Sequence, residues 1–270
     1  KTVLIPRSPP ANAIRRGGAR ISGIFRKEGI HIFHFAYKAN APEDRLLKIG
    51  DFVLSLSMPY SAGVFFLAMK LKPPKIIRHL FPSLIWEIDD PEGVFLTFDD
   101  GPTPGITEWI LAMLEKYDAK ATFFVLGKNV EAYPDLFRRI VDAGHKVGNH
   151  TYSHQKGWGM SLERYIEDVD FANDLIHSEL FRPPYARITP AQARALSQRY
   201  KLVMWDVLSR DYSRSLSPRK CLKNVTKHLE PGAIVVFHDS EKSFRNMRYA
   251  LPRTLDKIRK LGLKCKTIEL

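Results

Sequence analysis

Thr97-Phe98-Asp99-Asp100-Gly101-Pro102 closes an apolar run, residues 94–98, and joins a strand signal to a turn signal. Successive side chains on a strand point to opposite faces, so two adjacent carboxylates at its end can serve two neighbours. One can then face a metal while the other faces whatever the metal activates. The same letters are also ordinary turn chemistry, since Asp bonds nearby backbone, Gly accepts positive φ and Pro fixes its own φ. The stretch needs partners elsewhere in the chain to mean more than a turn.

Such partners follow downstream. His150-Thr151-Tyr152-Ser153-His154 sets two imidazoles four residues apart, within reach of one ion. Borderline divalent cations such as zinc accept imidazole nitrogen and carboxylate oxygen, and three protein ligands leave a position open for water or substrate. In a chain with 9 His such a pair alone is commonly coincidence. Three further segments come in order: Arg182-Pro183-Pro184-Tyr185, then Trp205-Asp206-Val207 with Asp211-Tyr212, then Val236-Phe237-His238-Asp239.

Taken in sequence, the five segments resemble the motifs of the polysaccharide deacetylases of carbohydrate esterase family 4, which include chitooligosaccharide and peptidoglycan deacetylases. The resemblance covers roughly residues 75–270. It implies that Asp100, His150 and His154 hold a divalent metal, zinc foremost, with cobalt, manganese or nickel as alternatives. A cation held in this way polarises an acetyl carbonyl and lowers the pKa of its water from ~15.7 toward ~7. Asp99 would be the general base, paired with Arg182, and the Tyr185 N–H would face the oxygen that becomes negative. His238 would give a proton to the leaving group, supported by Asp211. Trp205, Tyr212 and Val236 would line the substrate groove. Two positions depart from the family pattern. Asp211 is followed by Tyr212 where tryptophan is common, a smaller ring with a hydroxyl, and Val236 stands where leucine is usual. Neither change touches the metal or the base.

The rest of the chain supplies a frame for these residues. Apolar, β-rich runs at 94–98, 121–126, 146–149, 180–183, 202–206, 233–238 and 265–268 predict short buried strands. Helical stretches fill the gaps: one begins at Ser161 with the stripe Leu162, Tyr165, Ile166, Val169, Ala172, Leu175 and Ile176, and others cover 107–117 and 136–141. Alternation of strand and helix implies an α/β fold with parallel strands, open or closed. The family resemblance implies a distorted barrel of about seven strands with outer helices and catalytic residues at strand carboxyl ends. Neither a Gly-x-Gly-x-x-Gly nor a phosphate-loop motif occurs, so a nucleotide cofactor has no support.

With 270 residues, 44% of them hydrophobic, the chain can form one large domain, expected over 71–270, plus an extra segment, 1–70. That segment holds 11 Lys and Arg against 4 Asp and Glu, a net +7 of the chain's +13, and reads as an irregular basic arm. Its lack of a recognised binding module argues against nucleic acid. Residues 52–69 are uncharged and at the lower margin for a membrane span, flanked by basic residues. They suit an anchor or signal core with an envelope location, while a start near Met69 would suit the cytoplasm. The remaining +6 on residues 71–270 would suit an anionic polymer, though most such excess is solvated surface. Cys221 and Cys265 form no Cys-x-x-Cys pair and leave the redox compartment open.

The expected activity is metal-dependent removal of acetyl groups from a glycan, chiefly the N-acetyl of hexosamine units. An O-acetyl esterase on a xylan-like polymer uses the same machinery. A glycan-binding or membrane-tethered module without turnover is the alternative from another class, and oligomeric state is not readable from the chain.

Overall fold

The computed structural model describes residues 83–270 in full and, upstream of them, the backbone of four strands. The chain forms two compact units, Lys1–Tyr60 and Ser61–Leu270. In the first unit, β1 (Arg20–Lys27) pairs antiparallel with β2 (Ile30–Ala36), and β3 (Leu46–Ile49) with β4 (Phe52–Ser55). The arm expected to be irregular thus carries two hairpins. Each joins its strands through two residues, one of them glycine, and the strands draw on β-branched and aromatic residues, signals that the basic composition obscures. Beyond β4, the anchor reading of residues 52–69 and the start at Met69 lie outside the described residues. No helix among the described residues is long and apolar enough to cross a membrane.

The second unit alternates strand and helix. In chain order it holds β5 (Leu84–Ile85), β6 (Gly93–Asp99), α1 (Ile106–Lys116), β7 (Thr122–Val125), α2 (Gly127–Ala132), α3 (Pro134–Asp142), β8 (Lys146–Asn149) and α4 (Leu162–Ile176). Then follow β9 (Leu180–Phe181), α5 (Pro190–Leu196), β10 (Lys201–Val203), β11 (Val207–Leu208), α6 (Pro218–Thr226), β12 (Ile234–His238), α7 (Glu241–Lys260) and β13 (Lys264–Cys265). Nine strands form one sheet in the order β11-β12-β6-β7-β8-β9-β10-β5, with β13 against the start of β6, and every ladder is parallel. Seven of these overlap the runs predicted from sequence, β13 by a single residue. The other two, β5 and β11, have two residues each and fall outside those runs.

Parity along β6 explains the layering. Every residue of this strand is buried. Val94, Leu96 and Phe98 face outward onto Ile110 and Leu114 of α1 and Leu251 and Leu255 of α7. Phe95 faces the other way, into a second cluster with Phe124, Phe181, Leu202, Ile234 and Val236, drawn from four further strands. Side chains from so many strands meet in one interior because the sheet curls into a distorted half-barrel with helices outside. Thr97 and Asp99 share the parity of Phe95, so the strand carries its polar groups inward at its carboxyl end. Around the sheet, helix α4 begins at Ser161, whose hydroxyl accepts from the Arg164 N–H, and buries Tyr165, Val169, Ala172 and Ile176.

The segment after β5 closes the opposite side. The Ile88 N–H donates to the Gly232 carbonyl, and the Gly232 N–H to that of Gly93. Gly232 adopts φ 81, and a Cβ there would collide with the Ile88 carbonyl oxygen, so only glycine fits. Gly232→Ala is therefore expected to destabilise the fold by about 2 kcal/mol or more, lowering the thermal midpoint by several degrees in calorimetry.

Candidate functional site

Arg182 follows β9 and is the largest fully buried side chain among the described residues. A guanidinium out of water must have its donors satisfied, and here they are. Nε donates to the Val203 carbonyl at 3.2 Å, Nη2 to that of Met204 at 2.9 Å, and Nη1 to Thr97 Oγ1 at 2.7 Å and Asp99 Oδ1 at 2.6 Å. Its planar group lies 4.0 Å from the Phe124 ring centroid. Burial pulls its pKa down from the usual range, and the Asp99 carboxylate opposes that pull. The carboxylate of Asp99 is thereby pinned, charge against charge, with only 4% of the residue exposed.

Strand alternation alone would send Asp100 to the face opposite Asp99. The structure differs, because Asp100 lies past the strand end with φ 80, and this left-handed backbone brings both carboxylates to the same cleft. Thr151 (φ 69) and His154 (φ 62) share that conformation, which costs roughly 1 kcal/mol or more for each non-glycine residue. Local bonds hold them there. Asn149 Oδ1 accepts from the Thr151 N–H at 2.8 Å, and Thr151 Oγ1 from the His154 N–H at 3.0 Å.

Three ligand-type atoms of Asp100, His150 and His154 lie within 4.8 Å of one another. Asp100 Oδ1 is 3.2 Å from His154 Nε2 and 3.7 Å from His150 Nε2, and it is buried without a hydrogen-bond donor. His150 Nδ1 sits 2.7 Å from the Arg182 carbonyl. A carbonyl only accepts, so that nitrogen bears the hydrogen and Nε2 keeps its lone pair toward Asp100. Burial pushes His150 down to about 4, which keeps it neutral at neutral pH. Burial would raise Asp100, yet the imidazoles of His154 and His238 hold it well below the usual carboxylate range. An anionic oxygen lacking a donor and two imidazoles fit a borderline divalent cation.

Across the cleft, His238 ends β12. Its Nδ1 lies 2.8 Å from Asp211 Oδ1, and its backbone N–H donates to Asp211 Oδ2 at 2.8 Å. Asp211 is itself fixed by Asn246, whose Nδ2 donates to its carbonyl at 2.8 Å. Burial disfavours an imidazolium, but the Asp211 carboxylate outweighs it and pushes His238 up to about 9. The Tyr212 ring stands edge-on to His238 at 5.0 Å.

The cleft measures about 360 Å³, and its walls include Asp99, Asp100, His150, His154, Tyr185, Trp205, Tyr212, Val236 and His238. Arg182 and Asp211 stand behind it, buried. Every residue singled out in the sequence therefore meets at one place. The side chain of Tyr185 is half exposed, with its hydroxyl 3.2 Å from His154 Nδ1. The Ala186 and Arg187 N–H groups bond to Pro183 and Pro184, whereas that of Tyr185 has no backbone acceptor among the described residues. Cys221 and Cys265 are free thiols, apart from the cleft.

Two bracing residues have no role assigned from the sequence. Asn129 Nδ2 donates to the Asp100 carbonyl at 2.8 Å. Asp239, fully buried, accepts from the Thr107 hydroxyl at 2.5 Å, and its N–H donates to the Asp99 carbonyl at 2.7 Å. A Cβ on Gly101 would collide with the Asp239 carboxylate, so that group packs directly beneath the turn carrying Asp100. Polar residues in a buried apolar pattern were the available signal, but no spacing rule links position 107 to position 239.

The polysaccharide deacetylase family profile matches residues 88–204. A peptidoglycan-N-acetylglucosamine deacetylase of Bacillus cereus is 36% identical over 154 residues, 54% of this chain and 56% of that protein. The chain thus spans little more than half of that relative. A second Bacillus cereus protein of the same description is 31% identical over 192 residues, 68% of this chain and 90% of the relative. The crystal structure of a peptidoglycan N-acetylglucosamine deacetylase superposes with a TM-score of 0.65 at 28% identity, covering 69% of this chain and 91% of that one.

In the metal-free protein the His238 imidazole is expected to titrate near pH 9, above the ordinary 6.5. Because the folded value is the higher, the Asp211–His238 pair stabilises the fold fully below about pH 6.5, and that stability is lost as pH rises through about 9. Asp211→Asn should lower the midpoint by about one unit or more in an NMR titration of the ring protons. An unchanged midpoint would show that another group holds the proton.

Proposed function

The chain belongs to the polysaccharide deacetylase family, and from that premise we propose that it is a metal-dependent hydrolase removing acetyl groups from a glycan, chiefly the N-acetyl of hexosamine units. Residues 71–270 would form the catalytic domain. The observation that carries the reading is the convergence of Asp100, His150 and His154 within 4.8 Å, with an Arg182-locked Asp99 and an Asp211-locked His238 opening on the same cleft.

Asp100, His150 and His154 would hold the cation, which when bound supplies Lewis acidity and a water of lowered pKa. Asp99 accepts a proton from the attacking water, and the Arg182 bond fixes the direction of its carboxylate. The Tyr185 N–H points its dipole at the acetyl oxygen as negative charge develops there. His238 delivers a proton to the departing nitrogen. An amine leaves only when protonated, so an imidazole held in its charged form by Asp211 suits N-deacetylation. Trp205, Tyr212 and Val236 form apolar and aromatic walls against which a sugar face packs.

Purified protein should contain about one equivalent of zinc or a related metal and release acetate from chito-oligosaccharides or peptidoglycan. His150→Ala and His154→Ala should lose both metal and turnover, whereas Asp99→Asn should keep the metal and lose about 10²- to 10⁴-fold in kcat. Full activity in Asp99→Asn would sink the mechanism. Acetate released from acetyl-xylan alone would replace the N-deacetylase reading with the O-acetyl esterase. Tyr212→Trp is expected to move substrate preference more than kcat, read across the same panel of glycans.

A further inference from the structure

Helix α7 carries a charge pattern that the catalytic chemistry leaves unused. It holds seven Lys and Arg against Glu241 and Asp256. Met247, Leu251, Leu255 and Ile258 turn inward, while Lys242, Arg245, Arg248 and Arg253 are exposed on the outer side. Helix α6, packed beside it, adds Arg219, Lys220 and Lys223 and no acid. Among the described residues, Arg259 alone of the α7 cations pairs with a carboxylate, Asp256 at 3.2 Å. Arg248 and Arg253 stack on rings of their own helix, 5.9 Å from the Phe244 centroid and 3.9 Å from that of Tyr249. Stacking orders the guanidinium groups without cancelling their charge.

A face that serves solubility alone intersperses both signs. Here the cations outnumber the acids seven to two along a twenty-residue helix, ~30 Å long, and that excess raises the local concentration of anions. Its amino end reaches the cleft. Lys242 lines the cleft wall, with Nζ 5.6 Å from the Tyr212 ring centroid, and that ring stands against His238.

We propose that the substrate is an anionic glycan bearing carboxylate or phosphate groups close to the acetylated sugar. Lys242 and Arg245 bind such a group at the rim of the cleft, and the outer face of α6 and α7 draws the polymer in. This rests on the deacetylase reading of the site and adds the charge of the polymer.

The test measures binding of the metal-loaded full chain to three acetylated glycans, one carrying carboxylates, one carrying phosphodiesters and one neutral chito-oligosaccharide, at low and at raised salt. An anionic glycan should bind about tenfold or more tightly than the neutral one at low salt and lose that advantage as salt rises, and the preferred arm identifies the anionic group. The double variant Lys242→Gln/Arg245→Gln should bind the anionic glycan about tenfold more weakly, with a flatter salt dependence. Equal affinity for charged and neutral glycans at low salt, or a variant that binds like the parent, overturns the proposal. Acetate release is followed in parallel. Release without charge preference sinks the anionic substrate and leaves the deacetylase standing, whereas charge-selective binding that the variant loses supports the basic face, with any missing acetate counting against the deacetylase alone.

Discussion

One buried cation organises the site. The Arg182 guanidinium sits inside a curled sheet, where an uncompensated charge would be prohibitive, and each bond that makes it tolerable also fixes a strand end. Its contacts reach Thr97 and Asp99 on β6, the Val203 and Met204 carbonyls at the end of β10, and the Phe124 ring on β7. Thr97 passes the connection on, donating to the Val235 carbonyl of β12 at 2.9 Å. The Arg182 carbonyl meanwhile sets the tautomer of His150. A lysine has one compact donor head and could not span these partners, so the planar fork is part of the architecture.

Around that anchor, the same residue types receive different charge states from their surroundings. His150 is buried beside a carbonyl and kept neutral, as a ligand must be, while His238 is buried beside a carboxylate and kept charged, as a proton donor must be. Asp99 faces a guanidinium, and Asp100 faces two imidazoles. Asp239 is pushed up to about 7 by burial, and the carboxylates of Asp100 and Glu108 add to the rise. The positive φ values at Asp100, Thr151 and His154 are the conformational cost of drawing the ligands together, and the bonds made by Asn149, Thr151 and Asn129 offset part of it.

Much of the frame was legible in the sequence, for identifiable reasons. Strand β6 is an apolar run capped by carboxylates, and helix α4 shows both its serine cap and its stripe, so local rules suffice for each. Strands β5 and β11 exist only because neighbours pair with them. Helix α7 has a strongly polar composition and Pro252 in its interior, yet it runs for twenty residues because its inner stripe packs on the sheet and on α6. The hairpins β1–β2 and β3–β4 were hidden by charge, although their two-residue spacings are an ordinary hairpin signal.

The sequence by itself determined the inventory of the site and its order along the chain: which carboxylates, imidazoles and guanidinium are present, and that they follow strands. It also determined the alternation of strand and helix that makes the sheet parallel. Only the tertiary structure decided that Asp100 turns back to join Asp99, that Asp239 braces the turn from 132 residues beyond Thr107, and which histidine is neutral and which is charged. The reason is physical. Periodicity and turn chemistry act between near neighbours in the chain, whereas coordination and protonation depend on distances of a few ångströms between residues that folding alone brings together.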